Sequence, residues 1–245
     1  AMGLEVYFDL SAAPCRPVLL LLKKCGIEFT AHAKRLEKGE NQTEEFGKVT
    51  PLKLVPVIVD NGFRLTESVA ISKYLACRYG LADHWYPADL QRRARVDEYL
   101  AWQHTSIRPP CSMLLVLEGV LPGLTGQPVQ EQKIADIMKG LELCLEHLEA
   151  YYLQDDAFLC GDQISIADLF AYSDLMQPMG AGHDVLKDRH KLLAWRQRVE
   201  TFMGKEVLEE VNRKILNSHS ALLDMEPAEK EGLAQYLFSK LKMTG

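Results

Sequence analysis

The ten residues 57–66, Val-Ile-Val-Asp-Asn-Gly-Phe-Arg-Leu-Thr, constrain this chain more than any other stretch. Two β-rich runs flank Asn61-Gly62, and a two-residue hairpin turn of the I′ type needs positive φ at both central positions, which Asn and Gly adopt at least cost. An antiparallel pair is therefore expected here. Immediately afterwards Thr66-Glu67-Ser68 opens a helical pattern through Val69, Ile71, Tyr74 and Leu75 to Gly80. Upstream, residues 4–10 form a β-rich run and residues 11–14 a turn. Residues 15–25 form a continuous apolar run closing on Lys-Lys-Cys, with Gly26 placed as a C-terminal cap. Residues 28–35 alternate around Phe29, Ala31 and Ala33 and read as a second strand, and residues 37–48 as loop or weak helix. The order is βαβ followed by ββα.

After residue 80 the pattern changes. Residues 81–90 lose their periodicity around Pro87 and read as a linker. From 91 to 108, Val96, Tyr99, Leu100 and Ile107 keep helical spacing until Pro109-Pro110 ends or kinks the helix, which is rich in Arg and expected to face the N-terminal domain. Ile134, Ile137, Leu141, Leu145, Leu148 and Tyr152 mark another amphipathic helix. Ser165 stands three residues before Asp168, a variant of the capping box, with Ile164 and Leu169 at the positions of a hydrophobic staple. Residues 192–202, 206–216 and 228–241 add three more helical patterns. The division expected is an α/β domain over 2–80, a linker over 81–90 and an all-α domain over 91–245.

Composition excludes several classes. At 245 residues, with 47% hydrophobic and 25% charged, the chain has the balance of a soluble globular protein of two ordinary domains. Its net charge of -6 is uneven: residues 1–80 hold 11 Lys/Arg against 9 Asp/Glu, and the remainder 17 against 25. No strongly basic surface for nucleic acid is expected, and a small anionic ligand is mildly favoured on the N-terminal part. The uncharged stretch 119–130 contains Pro and Gly and falls short of the ~20 apolar residues of a membrane span. The apolar run 18–22 stops at Lys23-Lys24 and does not read as a secretory signal. Six scattered cysteines, with no C-x-x-C pair and no His at ligand spacing, argue against zinc or a redox dithiol and for a reducing, cytoplasmic location.

Two local features carry chemistry. Leu54-Val55-Pro56 precedes the hairpin, and a proline there can hold a cis bond and turn the preceding backbone outward to pair with an extended peptide. An ordinary edge proline is an equal reading. Glu67-Ser68 lies at a helix N-terminus, where free N–H groups and the dipole attract a carboxylate; the alternative is that Thr66 or Glu67 is only a cap. Taken together, a docking edge and an anion pocket within a dozen residues suit a small peptide with a free carboxylate.

The strings MGLEVYFDL, APCR, TPLKLVPVIVDNGFRLTESVAI, HWYPADLQRRARVDEYLAWQHTSIR and ISIADL resemble the glutathione transferase superfamily, specifically its theta class. The resemblance runs nearly end to end and is looser after about residue 205. It implies a thioredoxin-like α/β N-terminal domain, an all-α C-terminal domain carrying the electrophile site, a homodimer, glutathione as cosubstrate, and no metal or other cofactor. It implies conjugation of glutathione to small electrophiles, displacement of halide or sulfate, or reduction of organic hydroperoxides. The rival is a weakly catalytic or non-catalytic binding protein of the same fold; an interaction module is disfavoured.

Residue by residue, the resemblance makes Val55 the backbone partner of glutathione ahead of a cis Pro56, and Glu67 and Ser68 the pair that binds its γ-glutamyl end. Thr105 joins the glutathione contacts, and Arg108 is the helical arginine aimed into the active site. The chain departs from the family at Asn41, where His is usual, and at Leu54, where Lys is usual, so weaker glutathione binding is expected, with Asn41 and Lys53 as substitutes. The largest departure is in the D-L-x-S-x-P motif. Asp9-Leu10-Ser11-Ala12-Ala13-Pro14 puts Ala12 in the serine column and Ser11 one residue early. In a strand that slip reverses the side chain, whereas an irregular turn can re-aim it. Ser11 and Arg108 are the catalytic candidates. Arg16 is a second nearby cation that a carboxylate could equally claim, and Cys15 is expected to be buried. Residues 226–245 resemble an added helix covering the site, from which Tyr236 and Phe238 would line the electrophile pocket beside Met113, Leu114 and Leu117.

Overall fold

The computed structural model describes residues 3–240. The N-terminal part runs β1 (Leu4–Phe8), α1 (Cys15–Lys24), β2 (Thr30–Ala33), a 3-10 turn (Leu36–Lys38), α2 (Glu44–Val49), β3 (Val57–Asp60), β4 (Phe63–Thr66) and α3 (Ser68–Arg78). The four strands form one sheet in the order β2-β1-β3-β4. β1 and β2 are parallel, and β3 is antiparallel to both its neighbours. The hairpin closes with Asp60 opposite Phe63, and its turn residues take φ of 49° at Asn61 and 90° at Gly62. This is the thioredoxin-like α/β arrangement.

The apolar run of α1 is continuous because the helix is enclosed. Every residue from Cys15 to Leu22 is buried, between α3 on one side and the later helices α8 (Ile166–Met179) and α10 (Lys205–Leu216) on the other. A helix apolar all round has no solvent face to keep polar. It stops where Lys23 and Lys24 meet the C-terminal dipole and Gly26 takes φ of 66°. The segment expected as loop or weak helix resolves into the 3-10 turn and α2, whose cap is Thr43, accepting the Phe46 N–H at 3.1 Å.

The helical part holds α4 (Leu90–Ser106), α5 (Arg108–Leu114), a π-helical turn (Leu115–Val120), α6 (Leu121–Thr125), α7 (Glu131–His147) and a second π-helical turn (Leu148–Leu153). Then follow α8, α9 (His190–Met203), α10, α11 (Ser218–Leu223) and α12 (Pro227–Lys240). The break after α4 comes at Ile107, before the prolines and not at them. Pro109 and Pro110 sit in the first turn of α5, where a missing N–H costs nothing, so Arg108 opens a new helix instead of closing the old one. α4 meets the N-terminal domain through Asp97, while its arginines bond elsewhere. Arg93 binds the Pro87 and Tyr86 carbonyls in the linker, and Arg95 pairs with Glu98 and Tyr151; Asp97 makes the contact to α3, 2.7 Å from Lys73.

α8 is the axis of this part, buried from Ile166 to Pro178. Its start is fixed by the expected cap: Ser165 Oγ accepts the Ala167 N–H at 3.2 Å and Asp168 Oδ2 the Ser165 N–H at 2.9 Å. Asp168 Oδ1 also takes the Leu159 N–H at 2.9 Å and the Trp195 indole N–H at 2.8 Å. All six cysteines are free thiols, and among the described residues no single helix is long and apolar enough to cross a membrane.

Candidate active site

The turn between β1 and α1 is built on Asp9. Its carboxylate is 1% exposed, and Oδ1 accepts both the Ser11 N–H at 2.9 Å and the Ser11 hydroxyl at 2.8 Å, while Oδ2 accepts the Leu36 N–H at 2.9 Å. This closes an Asx turn that ends the strand and starts the helix at Pro14. It also decides what Ser11 offers. A hydroxyl has one proton, and this one is given to Asp9, leaving lone pairs. Ala12 follows, half-buried, with its N–H on the Asp9 carbonyl at 3.1 Å.

A cavity of about 340 Å³ opens above this turn. One side is the N-terminal domain: Ser11, Ala12, Asn41, Leu54 and Val55. Facing them are α5 and the π-helical turn, through Ser112, Leu115 and Val116, and the C-terminal helices through Lys214, Leu222 and Tyr236. Most of the wall is apolar. Tyr236 is thus on the wall as expected, but Phe238 is not; it packs with Met113 on the small cluster of Val116, Leu117 and Leu121. Leu114 lies in the main core. The π-helical turn was not foreseen; it follows α5, and the wall residues are Ser112, Leu115 and Val116 in place of the expected three.

Beside the cavity lies the Leu54-Val55-Pro56 segment that leads into β3. The Val55-Pro56 bond is cis, and Val55 lies before Val57, the first paired residue of β3, so its backbone is outside the sheet. The loop leading there is braced by Asn41, which is buried and donates its amide to the Lys53 carbonyl at 2.9 Å, and by Lys53, which donates to the Gln42 carbonyl at 3.0 Å. Leu54 is 46% exposed. At the head of α3, Glu67 takes φ of 71° and provides no side-chain cap, so the helix presents its first-turn N–H groups beside the buried Ser68. Among these residues Asn41, Leu54 and Val55 share the cavity; Lys53, Pro56, Glu67, Ser68 and Thr105 lie off its wall. Thr105 is exposed on α4. Next to it His104 has its pKa lowered, first by burial and then by Arg108, with Glu67 opposing, so these three share one electrostatic neighbourhood.

Arg108 is not on the cavity wall, and its Nη2 is buried without a hydrogen-bond partner. Its Nε donates to Asp174 Oδ1 at 3.0 Å, and its guanidinium lies 5.7 Å from the Phe170 ring centre. Arg16 is likewise inside, donating to the Leu10 carbonyl at 3.0 Å, the Ser173 carbonyl at 2.8 Å and the Gln177 amide oxygen. Cys15 is fully enclosed and burial pushes its thiol up to about 12, which removes it as a nucleophile.

The residue that sequence reading missed is Lys214. Its Nζ donates to Asp9 Oδ1 at 2.8 Å and to Glu37 Oε2 at 3.4 Å, so α10 reaches across to the turn that carries Ser11. No local signal marks it, because its partner stands 205 residues earlier.

Known proteins share this design. Models of the glutathione S-transferase N-terminal and C-terminal domains match residues 6–77 and 107–201. The chain is 46% identical to glutathione S-transferase theta-3 of Mus musculus over 232 residues, covering 95% of this chain and 96% of that one. It is 46% identical to glutathione S-transferase theta-1 of Homo sapiens over 228 residues, 93% of each. Apo human glutathione-S-transferase T1-1 superposes with a TM-score of 0.91 at 43% identity, covering 98% of this chain and all of that one. A human theta-class transferase in complex with the glutathione conjugate of 1-menaphthyl sulfate superposes with a TM-score of 0.86 at 40% identity, 91% of each being covered. The chain belongs to the glutathione S-transferase family and, within it, to the theta class.

Proposed function

We propose that this protein joins glutathione to small electrophiles in the cavity between its two domains. The observation that carries this is the Val55 backbone edge, ahead of cis Pro56, opening directly onto a mostly apolar cavity. An extended peptide pairs with that edge and places its thiol over the Ser11–Ala12 turn, while an apolar electrophile fills the space toward Leu115, Leu222 and Tyr236. The γ-glutamyl carboxylate goes to the uncapped N-terminus of α3 at Glu67 and Ser68, and the glycyl end goes toward Asn41 and Lys53. In the reaction the sulfur forms a bond to the electrophilic carbon, halide or sulfate departs with the bonding pair, and the thiol proton passes to solvent.

A thiol of pKa near 8.5 is only a few per cent ionised at neutral pH, and lowering it by two units requires about 2.7 kcal/mol of preference for the thiolate. Ser11 touches the thiol in this reading. Arg108 serves the anionic leaving group through its terminal nitrogens, since only its Nε is taken by Asp174 and Nη2 has no partner. A homodimer is part of the proposal, supported by family membership and by Phe63, half exposed against Tyr74 on the outer strand. Six free thiols suit a reducing, cytoplasmic setting.

A second reading, a binding protein with little turnover, is favoured by Ala12 and by the proton that Ser11 gives to Asp9. The two readings separate in one experiment on the purified full chain. Glutathione affinity is measured by calorimetry, and turnover with an aryl halide, an alkyl halide, an arylmethyl sulfate and an organic hydroperoxide. Conjugation of at least one carbon electrophile is expected. Binding with no turnover on any of the four supports the second reading, and no binding at all removes both.

A further inference from the structure

We propose that Lys214 is the group that stabilises the glutathione thiolate in this chain, in the place of the hydroxyl that Ala12 lacks. The inference rests on the proposal that glutathione occupies the cavity. Three observations carry it.

Lys214 is the only cationic side chain on the cavity wall among the described residues; Arg108 lies off that wall with its Nε on Asp174, and Arg16 is engaged by Leu10, Ser173 and Gln177. Its position is fixed by the carboxylate oxygen that also receives the Ser11 hydroxyl, each at 2.8 Å, so Lys214 and Ser11 stand side by side at the turn where the thiol arrives. Its valence fits as well. An ammonium has three donors, and Asp9 and Glu37 take two, leaving one on a side chain that is 31% exposed to the cavity mouth.

The same geometry separates the roles of the two neighbours. Ser11 has spent its proton, so its oxygen accepts from an S–H and favours the neutral thiol. Lys214 can only donate, so it favours the thiolate. Of the charges around it, Asp9 is fully used by Ser11, Leu36 and Lys214, Glu37 is on the rim, and Glu229 of α12 is directed to Lys38 at 3.6 Å. The residual negative charge of that group is a brake on the thiolate that Lys214 has to overcome, which makes its removal the decisive change.

The test is the ultraviolet absorbance of the thiolate of bound glutathione, titrated against pH in the full chain, with glutathione affinity measured separately. The variants are Lys214→Met, Lys214→Arg and Ser11→Ala, together with Lys214→Gln, whose neutral amide can still donate to Asp9 if Lys214→Met fails to fold. The native protein is expected to hold the thiol about two units below its solution value near 8.5. Lys214→Met, or Lys214→Gln, is expected to raise it by at least about one unit, a tenfold change in the ionisation constant and about a threefold loss of thiolate at pH 7, with glutathione affinity changed less than threefold. Lys214→Arg is expected to restore the low value, and Ser11→Ala not to raise it. An unchanged thiol pKa in Lys214→Met or Lys214→Gln overturns the inference, as does a rise in Ser11→Ala alone. A native protein that binds glutathione with its thiol at the solution value overturns it too while leaving binding intact; absence of binding removes the functional proposal itself.

Discussion

Arg108 and Asp174 form an ion pair at the base of the helical domain, Nε to Oδ1 at 3.0 Å, with the carboxylate wholly buried. Arg16 stands close enough to act on the same carboxylate, so a single negative charge serves two enclosed cations. Burial pulls the Arg16 pKa down to about 10 against the pull of Asp174, and burial raises that of Asp174 against both arginines. Removing the shared partner therefore costs more than removing one of the cations. Asp174→Ala is expected to lower the unfolding free energy by about 3–5 kcal/mol, because it leaves two buried charges unpaired, and Arg108→Ala to cost less. Urea unfolding of the two variants checks this; an Asp174→Ala protein less perturbed than Arg108→Ala contradicts it.

The helix that brings Lys214 to Asp9 passes very close to the end of α8. A Cβ on Gly180 would stand 2.7 Å from the Ile215 carbonyl oxygen and 3.0 Å from the Leu115 side chain. Since Ile215 adjoins Lys214, Gly180→Ala forces α10 outward at the position of the cavity cation. The expected outcome is a loss of about 1–3 kcal/mol of stability together with a turnover loss that exceeds the change in glutathione affinity. A variant with native stability and native turnover would show that α10 is free to shift there.

How much of this was legible in the sequence follows from how local each signal is. The hairpin at Asn61-Gly62 and the cap at Ser165 are set by neighbours within a few residues, and both stand where the pattern put them. The break at Ile107 was displaced because Pro109 and Pro110 are tolerated in a first helical turn, so the prolines mark a beginning as well as an end. The π-helical turn after Leu114 and the short α11 have no periodic signature. What the sequence could not give is the distribution of charge at the site. Whether Arg108 meets Asp174, and whether a cation stands beside Ser11, depends on contacts between residues 66 and 205 positions apart; the bond from Ser11 to Asp9 is local, but the strand pattern does not mark the Asx turn that makes it.

The cysteines divide by exposure. Cys15, enclosed at the head of α1, has its thiol pushed up to about 12, whereas Cys77 is exposed on α3. An alkylating reagent applied to the folded protein is expected to label Cys77 early and to leave Cys15 unmodified until unfolding. Peptide mapping by mass spectrometry reads the order. Cys15→Ala is expected to keep turnover within about twofold while costing on the order of 1–2 kcal/mol for the space it empties. Rapid labelling of Cys15 with loss of activity would restore it as a reactive group.

Asp168 ties α8 to the rest of the helical domain and is the buried carboxylate whose titration stability should report. Burial raises its pKa from 3.8 to about 6, more than the N–H groups of Leu159, Ser165 and Trp195 lower it. In the unfolded chain the group returns to its ordinary value, so between about pH 4 and pH 6 the folded state holds a proton that the unfolded state has released. Stability must then fall as pH rises through that window. The cost of ionising Asp168 is absent below about pH 4 and complete above about pH 6, where two units correspond to roughly 3 kcal/mol. Asp168→Asn supplies the reference: its amide cannot titrate, and the loss of the Ser165 capping bond is a constant penalty at every pH. The native protein is therefore expected to lose ground against Asp168→Asn as urea unfolding is repeated from pH 4 to pH 7, the difference between them shrinking by up to about 3 kcal/mol. A difference that stays flat across this range would mean that the three N–H donors fully offset burial and that Asp168 is already ionised at pH 4.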